Sequence, residues 1–294
     1  NIFILTPTVY IVVGPTAVGK TKYAIELAQK LQTEIISADA RQCYQELNIG
    51  VARPSNEELA QVKHHFIASH SIHDTVNAGT FEAYALAKTT ELLAKFGTVV
   101  LVGGTGLYIK AFVEGMDQIP AIDPAIRSQI QEDVSLKGMD WLQTQVQSKD
   151  PAYWASADQG EQQNTQRLSR ALEVVTGTGQ SILNFQQQSK KSRPFNIQKI
   201  GLELPRAQLY DRINQRVVQM VNMGLEEEVN ALRPQFHLNA LQTVGYQEWL
   251  PYFEGQQSKA AVIEAIQQNT RHYAKRQMTW FKKDAEINWD QKVS

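Results

Sequence analysis

Apolar and polar positions change period several times along the chain, and the changes mark out its elements. Residues 9–13 form a short apolar, mostly β-branched run ending at Gly14, and residues 20–32 then carry apolar positions at Ala24, Leu27, Ala28 and Leu31. That is a strand, a glycine-containing loop and a helix. Residues 34–38 predict a second strand. Residues 81–96 predict a helix with Ala85, Leu86, Leu92 and Leu93 along it, and residues 98–102 a buried strand entering Gly103, Gly104, Thr105 and Gly106. Alternating strands and helices imply an α/β fold, a parallel sheet with helices on both faces that receives ligands at the carboxyl ends of its strands. Gly14, Asp39 and Gly103 each follow a strand end, so they should gather at one edge of the sheet.

Between residues 119 and 191 the pattern turns Gln-rich, strand-poor and helical, punctuated by Pro120, Pro124, Gly138, Pro151 and Gly177. It reads as an inserted all-helical domain, residues 119–191, within a core made of residues 1–118 and 192–294. Residues 197–204 predict a returning strand. Residues 209–232 and 260–283 predict long amphipathic helices that rejoin the core.

Composition adds limits. With 294 residues, 43% hydrophobic and 20% charged, the chain is ordinary globular material without repeats or low-complexity tracts. Its longest apolar runs, residues 2–5, 9–13 and 99–102, fall far short of the roughly 20 residues that span a bilayer. No basic segment followed by an apolar stretch opens the sequence, so a cytoplasmic protein with no membrane partner is expected. The single cysteine, Cys43, allows neither an internal disulfide nor a multi-cysteine zinc site, and reads as a small, partly buried residue. The spacing of His64, His65, His70 and His73 fits no common zinc pattern. A formal net charge of -1 means that any RNA binding must come from local patches.

The segment from Gly14 through Thr16, Ala17, Val18, Gly19 and Lys20 to Thr21 matches the phosphate-loop pattern. Backbone N–H groups and the helix N-terminus supply a positive field there, Lys20 supplies a point charge, and Thr21 can ligate Mg²⁺. The ligand is therefore a diphosphate or triphosphate. Asp39, at the end of the next strand, either holds Mg²⁺, acts as a general base or caps a turn. Residues 99–107 contain no acid where many NTPases carry a magnesium ligand, which counts against an ATP-using small-molecule kinase. Thr105, set between glycines, either presents its hydroxyl to a substrate or permits a tight turn.

Six segments, taken in order, are more specific than the loop. GPTAVGKT at Gly14, SADARQCYQELNIGVARP at Ser37, VGGTGLYIKA at Val102, NTQRLSRALEV at Asn164, QTVGYQE at Gln242 and TRHYAKRQMTWFK at Thr270 together resemble the bacterial tRNA dimethylallyltransferases. The chain departs from their commonest forms at Val18 and Ala40, where the family often has Ser. The resemblance implies a phosphate-loop NTPase-like fold. It also implies transfer of a dimethylallyl group from dimethylallyl diphosphate to N6 of the adenosine next to the anticodon, at tRNA position 37, by a monomer using Mg²⁺.

Under that resemblance Asp39 is the general base and Thr105 lies near the acceptor or leaving group. Arg216 joins the loop as a diphosphate contact, although its position also suits a solvated helix face. Asp39, Ala40, Arg41, Gln42 and Thr105 are expected to meet the tRNA. So are Arg127, the run Gln166, Arg167, Leu168, Ser169 and Arg170, and the run Gln242, Thr243, Val244, Gly245, Tyr246 and Gln247. Adenine N6 cannot react inside a stacked loop, so the nucleotide must be turned out into a pocket. Tyr273, Gln277 and Trp280 share one helical stripe and read as core, beside a basic cluster of Arg271, Lys275, Arg276, Lys282 and Lys283.

Overall fold

The structure is a computed structural model that describes residues 6–117, 119–186 and 190–290; the apolar run at residues 2–5 lies outside them. It divides into two compact units, residues 1–115 with 192–294, and residues 116–191.

The first unit is built on a six-stranded sheet in the order β3-β2-β4-β1-β5-β6, with every neighbouring pair parallel. Its strands are β1 (Thr8–Val13), β2 (Ile35–Ser37), β3 (His64–His65), β4 (Thr98–Gly103), β5 (Asn196–Leu202) and β6 (Ile287–Asp290). Val12, Val100 and Val102 point to one face, where they meet Ala24, Ile25 and Ala28 of the helix Lys20–Leu31 and Ile213 of the helix Arg206–Asn222. Val9, Ile11, Val99 and Leu101 alternate to the other face and are fully buried as well. Burial on both faces explains why β1 and β4 read as continuous apolar runs. The helix Ala78–Phe96 lies along β4; Asn77 caps it through a bond from Thr80 N–H, and Gly97 ends it in the left-handed conformation.

One sequence expectation fails here. The long helix expected over residues 209–232 is two helices, Arg206–Asn222 and Leu225–Ala231, because Gly224 takes a φ of 101° that stops the first and starts the second.

Among the described residues the second unit has helices and no strand: Pro124–Lys149, interrupted at Gly138, then Pro151–Ser156, Gln159–Gln162 and Thr165–Thr178. Its core gathers Ile130, Leu142, Val146, Tyr153, Leu168 and Leu172. Asp150, 2% exposed, accepts bonds from the Tyr153 and Ile182 backbone N–H groups and so ties two segments together. Among the described residues no helix is long and apolar enough to cross a membrane.

Candidate active site

Register places the chemistry at one edge. Val13 pairs with Gly103, and Ser37 with Val102, so the segments after β1, β2 and β4 leave the sheet side by side. They are then bonded together. Ala38 N–H donates to Val102 O at 2.7 Å, Thr105 N–H to Ala38 O at 3.4 Å, and Ala40 N–H to the Thr105 hydroxyl at 3.0 Å. Gly103 has to be glycine: an added Cβ would sit 2.1 Å from the Ala38 carbonyl oxygen.

The phosphate loop follows β1. Gly14 turns it at a φ of 150°, with the Leu202 carbonyl oxygen 2.5 Å from where a Cβ would be. Gly19, Lys20 and Thr21 open the helix, where N–H groups have no intrahelical acceptor and so form the kind of end that can receive an anion. Other parts of the loop are spoken for. Val18 is buried in the core, and Thr16 is gripped from both sides: Arg216 Nη1 donates to its hydroxyl at 3.2 Å, and its N–H donates to Gln277 Oε1 at 2.8 Å. Arg216 therefore belongs to the loop and is not a solvated helix position.

Lys20 Nζ donates to the Pro15 carbonyl at 2.7 Å. Burial, reinforced by the neighbouring Arg216 charge and partly offset by Asp39, lowers the Lys20 pKa to about 7. Two basic groups crowded into one half-buried site make it a favourable place for a multiply charged anion.

Asp39 is both a turn cap and an available carboxylate. Arg41 N–H and Gln42 N–H donate to its Oδ1 at 2.8 and 3.1 Å, and the capping bonds do not use Oδ2. Cys43 follows the same turn; burial, helped by the Asp39 charge, pushes its thiol up to about 12, so it is no nucleophile. Gln42 spends its side-chain amide on the Val51 and Ala52 carbonyls.

The C-terminal helix Lys259–Phe281 brings in residues that sequence reasoning placed in the core. Tyr273 is half-buried; burial and the Asp39 charge push its phenol up to about 12. Trp280 is 40% exposed and covers Gly106, which corrects the expectation that it is core. Of that stripe the polar Gln277 is buried outright, as is Phe281 next to Trp280. A polar residue inside an apolar stripe was the available signal, since a buried amide must find partners. Trp280 also lines a surface cavity of about 400 Å³ with His272, Lys275, Arg276, Thr279 and Lys283.

Two expected RNA contacts are corrected by burial. Leu168 is fully buried in the helical unit, and Tyr246 is fully buried in the other. Tyr246 donates to Glu228 at 2.6 Å, and Glu228 also accepts from the Ile49 and Gly50 N–H groups, so the side chain shapes the loop beyond the Asp39 turn. Gly245 donates its N–H to Glu248 beside it. Gln242 and Gln247 are exposed, and Thr243 and Val244 half-buried. Tyr246→Phe should cost about 1.5–3 kcal/mol, the range for a hydrogen bond to a charged group. Urea unfolding checks this, with RNA affinity expected to stay within about twofold.

In the helical unit Arg127 and Arg170 both pair with Glu173, at 3.3 and 2.8 Å, and Arg167 pairs with Glu161. Gln166 and Ser169 lie on the same helix, Gln166 exposed and Ser169 half-buried. Partly exposed arginines held by acids keep their planes oriented while leaving donors for a phosphate or a base.

Fold and site define a protein of the phosphate-loop class whose anion site adjoins a carboxylate and a hydroxyl, with no acid at the end of β4. A sequence model described as IPP transferase matches residues 42–284, and the chain belongs to that family. It is 47% identical over 278 residues to the tRNA dimethylallyltransferase of Christiangramia forsetii, covering 95% of this chain and 91% of that one. The tRNA dimethylallyltransferase of Flavobacterium johnsoniae is 43% identical, with 95% and 91% covered. Among solved structures, the tRNA isopentenylpyrophosphate transferase of Bacillus halodurans aligns with a TM-score of 0.70 at 34% identity, covering 97% of this chain and 90% of that one. The fold is thus the phosphate-loop NTPase-like sheet of those enzymes.

Proposed function

We propose that the protein transfers a dimethylallyl group from dimethylallyl diphosphate to N6 of the adenosine next to the anticodon, tRNA position 37, and releases diphosphate. The observation that carries this reading is the hydrogen-bonded edge that sets Asp39 and Thr105 beside a loop walled by Lys20 and Arg216. The loop amides with Lys20 and Arg216 hold the diphosphate and stabilise the charge that grows as the allylic C–O bond breaks. N6 forms the new C–N bond, and Asp39 takes the proton that N6 sheds. Thr105, fixed by Ala40 N–H, orients the adenine; holding both reactants in this geometry removes much of the entropic barrier.

Mg²⁺ suits this donor set. With one hydroxyl at Thr21 and no carboxylate after β4, the site offers the few oxygen ligands that Mg²⁺ commonly takes from a protein. Thr21 would ligate it, and the bound ion would draw charge from the leaving diphosphate.

The tRNA reaches this edge with its anticodon stem-loop, and the exposed Arg127 and Arg167, the half-buried Arg170 and the exposed Gln242 and Gln247 contact it. The protein acts as a cytoplasmic monomer. Nucleoside analysis of unmodified tRNA after incubation with dimethylallyl diphosphate tests the reading. N6-dimethylallyladenosine next to the anticodon is expected. Its absence, together with phosphoryl transfer from ATP to a small molecule, would establish a kinase instead.

A further inference from the structure

We propose that Gln277 is a positioning residue that couples filling of the phosphate loop to filling of the acceptor turn. The inference rests on the transferase reading above. Gln277 is 6% exposed, and both ends of its amide are committed to backbone groups. Oε1 accepts from Thr16 N–H at 2.8 Å, and Nε2 donates to Gly104 O at 3.0 Å. Thr16 belongs to the loop that holds the anion. Gly104 immediately precedes Thr105. One side chain therefore spans the two segments that leave the adjacent strands β1 and β4.

The surrounding contacts make this bridge stiff. A Cβ at Gly104 would lie 2.2 Å from Gln277 Nε2, and a Cβ at Gly106 would lie 2.3 Å from the Trp280 indole, so the turn is shaped to receive this helix. Tyr273 stands one helical turn before Gln277 on the same stripe. On the loop side, Thr16 is also held by Arg216. An amide is the side chain that can accept from an N–H and donate to a carbonyl at once; a carboxylate can only accept, and an aliphatic chain can do neither. When an anion draws the loop amides and Arg216 into place, Thr16 is fixed. Through Gln277 the Gly104 carbonyl is fixed with it, and so is the Thr105 hydroxyl. Binding at the two sites should then be mutually favourable, and the coupling should run through this residue.

The test measures the affinity of an unmodified anticodon stem-loop RNA with and without saturating inorganic diphosphate, for the wild type, Gln277→Leu and Gln277→Glu. Diphosphate is expected to tighten RNA binding to the wild type about fivefold or more, the lower end of usual coupling. In Q277L the ratio should fall to near one while RNA affinity without diphosphate stays close to wild type. Q277E, which keeps the acceptor for Thr16 and loses the donor to Gly104, should fall between, and it serves if Q277L does not fold. An unchanged ratio in either folded variant, or a wild-type ratio of one, overturns the inference. Prenyl transfer is read in parallel samples that hold dimethylallyl diphosphate in place of inorganic diphosphate: transfer with an unchanged ratio in Q277L defeats the coupling alone, and no transfer by the wild type defeats the reading beneath it.

Discussion

Asp39→Asn is expected to lower turnover by about 10²- to 10⁴-fold, the usual contribution of a positioned general base, with tRNA affinity nearly unchanged. The choice of Asn matters because Asp39 has two jobs. Its Oδ1 accepts the Arg41 and Gln42 N–H bonds that close the turn after β2. Asparagine keeps that acceptor and loses only the capacity to take a proton. Asp39→Ala loses both, and should add destabilisation of about 0.5–2 kcal/mol, the magnitude of a lost helix cap, to the same loss of turnover. Single-turnover transfer rates beside stem-loop binding and urea unfolding separate the roles. If D39N turns over near wild type while D39A does not, Asp39 is a cap, and the base lies elsewhere.

Lys20→Met is expected to lower kcat by about 10²- to 10³-fold, comparable with removal of one donor to a developing negative charge. It should not weaken the fold. The pKa of Lys20 sits at about 7, below its ordinary value of 10.5, because burial and Arg216 disfavour the charged form. Between those two values the unfolded chain binds a proton that the folded chain does not, so the wild type gains stability as pH rises through that window. K20M should remove that dependence and match or exceed wild-type stability near neutral pH. A bound diphosphate favours the protonated amine, so above pH 7 diphosphate binding should take up about one more proton in the wild type than in K20M. Calorimetry in buffers of different ionisation enthalpy measures the difference. Equal proton uptake by the two proteins would show that the Lys20 amine does not meet the anion.

The sequence showed the parts of the protein whose pattern is long or chemically constrained. β1 and β4 are buried on both faces and read as apolar runs, and the loop between β1 and its helix needs glycine at Gly14, so strand, loop and helix were legible together. β3 and β6 were not. The first is two histidines, and the second reads Ile-Asn-Trp-Asp; each is an edge strand defined by its partner and not by its own periodicity. Gly224 carried a break that the apolar spacing across residues 209–232 concealed.

Within the site, motif residues were found and their supports were not. Lys20, Asp39 and Thr105 stand in recognisable segments, whereas Gln277 acts through two backbone bonds more than 170 residues away in sequence. The polar Gln277 inside an apolar stripe signalled that it needed partners, but nothing local in the chain says which ones. Tyr246 and Leu168 erred in the other direction: the motif was legible, but burial turned a surface contact into a support.

The central claim is that the phosphate loop holds a departing diphosphate and that a carbon fragment moves. A donor labelled with carbon-14 in the dimethylallyl group and phosphorus-32 in the diphosphate, incubated with unmodified tRNA, tests it in one experiment. The account predicts carbon-14 in the RNA and all of the phosphorus-32 in free diphosphate. Phosphorus-32 in the RNA, or carbon-14 left in solution while the wild type consumes ATP, would contradict it.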